Sequence, residues 1–293
     1  MILGIHHVTA ISSEPQLNVD FYSHRLGLRT IKQTVNFDDP TVYHLYYGDG
    51  IGTPGTLMTF FPYGDILKGE RGVGEANITT LAIPEGSFGW WSEYLKDARR
   101  EVLLGRDILA LEDPDGLTIH LEETPDDGRT VQWENPNVPF EHAIRNIKRM
   151  RLQPHDRYSI GRFATTEQVL TEFMGGTEVD SDATTKRFQI GNSEVDVFRS
   201  PETEPRAKSS AGSIHHVAFR NADDAIHQQW HAKIVTEKFN VSPVVSRDYF
   251  HSLYFREPGG ILFEFATDGP GFLIDEPLET VGTGLKLPSR YET

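Results

Sequence analysis

The strongest constraint on this chain is an internal repeat. Ile5-His6-His7-Val8-Thr9-Ala10-Ile11 returns as Ile214-His215-His216-Val217-Ala218-Phe219-Arg220, with Ile-His-His-Val unchanged. Both copies lie in β-branched, strand-like runs, and both precede segments with helical spacing. Leu17, Phe21 and Leu28 follow the first; Ala222, Ile226 and Trp230 follow the second. A second pair of segments repeats as well. Leu111-Glu112-Asp113-Pro114-Asp115-Gly116-Leu117-Thr118-Ile119-His120-Leu121 aligns with Phe255-Arg256-Glu257-Pro258-Gly259-Gly260-Ile261-Leu262-Phe263-Glu264-Phe265. Each has a Pro-x-Gly turn leading into an apolar strand, which reads as the turn of a β-hairpin.

At 293 residues the chain is roughly twice a usual single domain, so duplication fits its length. It divides into four units, each with a strand, a helix and about three more strands, beginning near Ile5, Glu75, Glu141 and Ile214. The expected class is α+β: four βαβββ modules paired into two domains, 1–138 and 139–276. Trp133–Pro139 reads as the linker between halves, Ser200–Gly212 as the join between the third and fourth units. The Gly/Pro-rich tail, 277–293, reads as irregular.

Composition narrows the function. Lysine and arginine number 28 against 43 acidic residues, a net charge of −15 with histidine neutral. A scattered acidic surface repels phosphate backbones, so neither nucleic acid nor an anionic membrane is an expected partner. The absence of cysteine excludes disulfides, thiolate zinc sites, iron–sulfur clusters and cysteine nucleophiles. The start of the chain has no signal-like run and no later run approaches a membrane span, so a cytoplasmic location is expected.

Glu264 interrupts an apolar strand run, Ile261-Leu262-Phe263-Glu264-Phe265-Ala266. Burying a carboxylate without a cation or donors costs several kcal/mol, so such a residue implies a partner. Strand histidines are more often hydrogen-bonded core or surface residues than ligands, but two duplicated His-His pairs shift that balance. Two imidazoles and one carboxylate leave three positions open on an octahedral ion, which is the ligand set of non-haem Fe(II) oxygenases. Neighbouring strand residues point to opposite faces, so His6 and His7 do not both reach one ion from a regular strand. Periodicity leaves open which of them does.

The paired His-His-Val strands, the four units and the Pro-Gly-Gly-Ile-Leu-Phe-Glu strand resemble the vicinal oxygen chelate superfamily of glyoxalase, bleomycin-resistance and extradiol dioxygenase proteins. More narrowly, the chain resembles ring-cleaving dioxygenases acting on hydroquinones. Tyr43-His44-Leu45-Tyr46-Tyr47, Gly52-Thr53-Pro54-Gly55-Thr56, Trp90-Trp91, Pro139-Phe140-Glu141-His142-Ala143 and Arg247-Asp248-Tyr249-Phe250 with Tyr254 carry that likeness. The resemblance implies mixed sheets curled around a metal site with helices outside. It implies His7, His216 and Glu264 as ligands of Fe(II), with Mn(II) the alternative, and a small aromatic substrate and O2 as partners. It places His6, His215, Thr9, Arg247 and Tyr254 around the metal as candidates for proton transfer and charge stabilisation. A homodimer is the default assembly.

Competing readings remain at this level. A glyoxalase-like Zn(II) or Ni(II) isomerase resembles a site with four protein ligands, and a resistance-type binding protein generally needs no metal triad. Catechol-cleaving extradiol enzymes usually draw their ligands from the second half alone. Gly50-Ile51-Gly52-Thr53-Pro54-Gly55 resembles a dinucleotide fingerprint but precedes a strand, whereas phosphate loops open helices. His120 matches Glu264 by position and reads as a polar residue of a metal-free repeat. Trp90 and Trp91 read as packing residues on a helix.

Overall fold

The two His-His-Val strands lie side by side. In the computed structural model, which describes residues 1–155, 159–288 and 291, they pair as antiparallel neighbours at the centre of a sheet. The first unit is β1 (Ile5–Ser12), α1 (Pro15–Val19, continued by a π-helical turn Asp20–Arg25), β2 (Arg29–Val35), β3 (Tyr43–Gly48) and β4 (Leu57–Pro62). The second is β5 (Glu75–Pro84), α2 (Phe88–Tyr94), β6 (Arg99–Leu103), β7 (Arg106–Glu112) and β8 (Thr118–Thr124). The third is β9 (Ile147–Gln153), α3 (Thr166–Gln168, continued by the π-helical turn Val169–Phe173), β10 (Thr177–Ser181), β11 (Thr185–Ile190) and β12 (Ser193–Phe198). The fourth is β13 (Ile214–Asn221), α4 (Asp224–Thr236), β14 (Val245–Ser246), β15 (Phe250–Arg256) and β16 (Leu262–Pro270). All four expected βαβββ units are present.

Their pairing is crosswise. One eight-stranded sheet runs β14-β15-β16-β13-β1-β4-β3-β2, joining the fourth unit to the first; the other, β10-β11-β12-β9-β5-β8-β7-β6, joins the third to the second. Each sheet therefore draws on both halves of the chain, and the halves 1–138 and 139–276 are not separate sheets. Packing links consecutive units instead. Phe173 of the third unit meets Trp230 and Phe239 of the fourth, at 5.5 and 5.2 Å between ring centroids. In the first half the Tyr22 hydroxyl donates to Asp113 of the second unit at 3.0 Å.

The helices are short, and only α4 is long enough to show why it forms. Asp223 caps it by accepting the Ile226 amide, and one face buries His227, Trp230 and Ile234. Trp230 packs edge-on against Phe265 of β16, 5.1 Å away, holding the helix on the back of the strand that bears Glu264. Ala222 is exposed and precedes this helix, and Leu17 of α1 is half exposed, so neither is the core position their spacing suggests. Leu28 is buried but follows the helix.

Both repeated turns close hairpins by the same device. Asp113 accepts from the Asp115 and Leu117 amides; Glu257 accepts from the Gly259 and Ile261 amides. Gly116 and Gly260 take φ of 85° and 91°, a left-handed conformation that side chains disfavour. The segment 277–288 is not loose. It lies along β2, where the Gln33 side chain donates to the Gly282 carbonyl and Gln33 bridges to Leu285. Residues 289, 290, 292 and 293 of the expected tail lie outside the described residues. Among the described residues, no helix is long and apolar enough to cross a membrane.

Candidate metal centre

A β-bulge in β1 sets up the site. The β1–β13 register shifts between Ile5 and His7, so the two histidine side chains are not thrown to opposite faces as in a regular strand. Their Nδ1 atoms lie 2.9 Å apart. Across the central ladder His215 and His216 repeat the arrangement, Nδ1 to Nδ1 at 2.8 Å. The second histidine of each pair then turns Nε2 inward. His7 Nε2 and His216 Nε2 are 3.3 Å apart, and they lie 3.3 and 2.8 Å from Glu264 Oε2. Glu264 is supplied by β16, parallel to β13, and its other oxygen accepts from the Ser252 hydroxyl.

The hydrogen bonds fix where the protons are. His6 Nε2 sits 3.1 Å from the Thr267 carbonyl, which only accepts, so that nitrogen carries a proton. Burial, with His7 alongside, pushes the His6 pKa well below its ordinary value, so His6 is neutral and its Nδ1 is an acceptor. His7 must then donate from Nδ1, and its Nε2 lone pair points at a carboxylate oxygen. Burial likewise holds His216 below its ordinary value. Burial alone would raise the Glu264 carboxyl, but His7 and His216 hold it well below the usual carboxylate range. Three electron-pair donors thus converge in a fully buried spot, and Glu264 Oε2 has no hydrogen-bond donor. Such a cluster fits a divalent cation: its atoms all lie within 4.8 Å of one another.

The cluster opens onto a cavity of about 370 Å³ with walls that include Phe37, Phe61, Phe250 and Leu262. Phe250 lies 5.0 and 5.2 Å from the His6 and His7 rings. Tyr254 stands directly opposite Glu264 in the β15–β16 register, edge-on to His216. Its hydroxyl accepts from Arg247 Nε at 3.2 Å, and burial, with Glu264 nearby, raises its pKa. Arg247 pairs with Asp38 at 2.8 Å. Thr9 is buried, opposite His216 in register, and its hydroxyl meets that of Thr59 at 2.7 Å. His215 lines the cavity and is the exposed member of its pair.

All eight sequence-derived residues therefore gather around one spot. Sequence reasoning missed Asp38, Ser252, and the roles of His44 and Tyr46 in the cavity wall. Ser252 was accessible in principle, since it sits two residues before Tyr254 on the same face of one strand. Asp38 sits in a loop with no periodic signal.

Among the described residues the second sheet lacks the cluster. Ala218 lies opposite His7 and beside Glu264; in the other sheet Thr80 lies opposite Arg149 and beside His120. Arg149 thus takes the place of His7, and His120 that of Glu264. Arg149 bonds Glu122, Glu194 and Asp196, and Arg187 holds Asp196 through two nitrogens at 2.7 and 2.9 Å. This ion network occupies the space that the metal cluster occupies in its counterpart. Gly50–Gly55 precedes β4 rather than a helix, Trp91 is core, and Trp90 stacks on His142 at 4.7 Å.

No protein-family model matches the chain. It is 38% identical to MhqO of Bacillus subtilis, a protein provisionally named a ring-cleaving dioxygenase, over 99% of this chain and 92% of that protein. It is 31% identical to the chlorohydroquinone/hydroquinone 1,2-dioxygenase of Sphingobium indicum, over 99% and 92% of the two chains. The crystal structure of a Bacillus subtilis protein, provisionally titled a dioxygenase, superposes with a TM-score of 0.93 at 36% identity, covering 99% of this chain and 93% of that one. Glyoxalase I from Zea mays shares the fold, with a TM-score of 0.62 at 11% identity, over 90% and 92% of the two chains.

Proposed function

Because the chain belongs to the ring-cleaving dioxygenases of the vicinal oxygen chelate superfamily, we propose that it opens a hydroquinone-type ring with O2 and depends on Fe(II) for doing so. The observation that carries this reading is the forced convergence of the His7, His216 and Glu264 electron pairs beside an aromatic-walled cavity. When bound, Fe(II) supplies Lewis acidity toward a substrate hydroxyl and an electron path to dioxygen; Mn(II) suits the same donors.

The remaining work falls to side chains. His6 has both nitrogens engaged, with Thr267 and His7, so it orients His7 rather than exchanging protons with substrate. His215 lines the cavity, making it the imidazole placed to take the substrate proton. Tyr254, whose raised pKa keeps its phenol protonated, is the donor placed to return one. Arg247, anchored by Asp38, faces negative charge developing on the opening ring. Thr9, opposite His216 in register and in contact with Thr59, supports the strand that bears it, and the phenyl walls exclude water from the ring.

Among the described residues the cluster contains three ligands and not the four that a glyoxalase-type isomerase resembles. The test is anaerobic loading with Fe(II), followed by oxygen uptake on hydroquinone, catechol and the methylglyoxal–glutathione adduct. Uptake with hydroquinone supports the reading; isomerisation of the adduct without oxygen consumption overturns it. His216→Ala is expected to stay folded while losing metal and activity.

A further inference from the structure

A polar dyad interrupts the apolar cavity wall. Tyr46 and His44 sit two apart on β3, on the same face, and both line the cavity. The Tyr46 hydroxyl lies 2.8 Å from His44 Nδ1, and His44 Nε2 lies 3.0 Å from the Thr59 hydroxyl. Thr59 in turn meets Thr9. The strand register aligns this chain. Tyr46 faces Thr59, Thr59 faces Thr9, and Thr9 faces His216, so one cross-strand row runs from the dyad to a metal-ligand position. His44 packs on Phe61 at 4.4 Å and Tyr46 on Phe272 at 5.2 Å, which leaves neither ring free to swing.

The polarity of the row follows from chemistry. A neutral imidazole has one donor and one acceptor nitrogen. The phenol is the more acidic partner, so it donates to Nδ1, and Nε2–H donates to Thr59. Tyr46 has then spent its only proton, and what its oxygen retains for the cavity is an acceptor. The acceptor assigned above, His215, serves the hydroxyl that gives up its proton, which leaves a second substrate hydroxyl without one. A hydroquinone, unlike a simple phenol, carries a second hydroxyl that the metal does not hold.

We propose that Tyr46 is a specificity-determining residue that accepts a hydrogen bond from the substrate's second hydroxyl, with His44 the positioning residue that keeps its proton turned away. The assignment rests on the ring-cleaving reading and names the substrate feature that the site selects.

The test is anaerobic binding of hydroquinone and of 4-methoxyphenol to Fe(II)-loaded protein, read by calorimetry without oxygen. The two ligands differ in whether the second oxygen carries a proton. Native protein is expected to favour hydroquinone by about tenfold, the worth of one hydrogen bond. Tyr46→Phe should erase that preference by weakening hydroquinone alone. His44→Leu frees the phenol to donate, so it should narrow the preference by the opposite route, strengthening 4-methoxyphenol; His44→Gln, which keeps an acceptor for Tyr46, should restore the native ratio. An unchanged ratio in Tyr46→Phe, equal weakening of both ligands in His44→Leu, or no preference in native protein would overturn the proposal. Oxygen uptake by native protein reports separately on ring cleavage. Failure there with the binding pattern intact removes the ring-cleaving reading and leaves the recognition by Tyr46 standing.

Discussion

His6 and His7 are neighbours in the chain, yet their Nδ1 atoms face one another at 2.9 Å because a bulge breaks the alternation of β1. The contact ties the proton state of His7 to the Thr267 backbone carbonyl on β16, two strands away in the same sheet, through His6. Orientation of a ligating imidazole by the partner of its other nitrogen is how proteins tune metal affinity.

His6→Phe should therefore weaken metal binding while preserving packing against Phe250. The expected loss is about 10- to 100-fold, the usual effect of removing such a partner. Competition with a chelator of known affinity measures it, and an unchanged affinity would mean that His6 does not set the His7 tautomer.

Tyr254→Phe keeps the ring against His216 and removes the hydroxyl that meets Arg247. Turnover should fall by about 10²- to 10⁴-fold, the range for losing a general acid or base, with metal content intact. Single-turnover kinetics on the Fe(II)-loaded protein would reveal the drop; native turnover would remove this tyrosine from the reaction.

Arg149 is buried among Glu122, Glu194 and Asp196. Arg149→Met leaves those carboxylates without their central cation and should destabilise the fold by about 3–5 kcal/mol, since unpaired buried charge is costly. Metal affinity should not change. Chemical denaturation and metal titration of the same variant separate the two effects.

His120 gives a pH signature. Burial, followed by the repulsion of Arg151 and Arg149, lowers its pKa to about 3. The unfolded chain binds this proton near pH 6.5 and the folded chain does not, so stability contributed by neutral His120 is present above that pH. It is lost as the pH falls from about 6.5 toward 3, by at most about 1.4 kcal/mol per unit. His120→Leu should flatten that part of the stability profile, and denaturation midpoints across pH 4–7 would display the difference from native protein.

The fold was legible because duplication leaves its mark twice. The Ile-His-His-Val strands locate the first strands of the first and fourth units, the Pro-x-Gly hairpins locate the last strands of the second and fourth, and alternation supplies the rest. The pairing of the units was not legible. Whether β1 pairs with β13 or with β5 depends on contacts across some two hundred residues, about which local propensity is silent. Glu264 announced itself because a carboxylate in an apolar strand demands a partner. The bulge that brings His6 and His7 together did not, since a one-residue register shift between distant strands has no local signature here. Asp38 is recognisable as the anchor of Arg247 only once loop 36–42 is laid against β14 and β15.

The most direct test of the central claim is anomalous X-ray scattering from crystals of Fe(II)-loaded protein, recorded on both sides of the iron absorption edge. A single peak in contact with His7 Nε2, His216 Nε2 and Glu264 Oε2 is the expected result. A peak held by other residues, with those three atoms left uncoordinated, would contradict it.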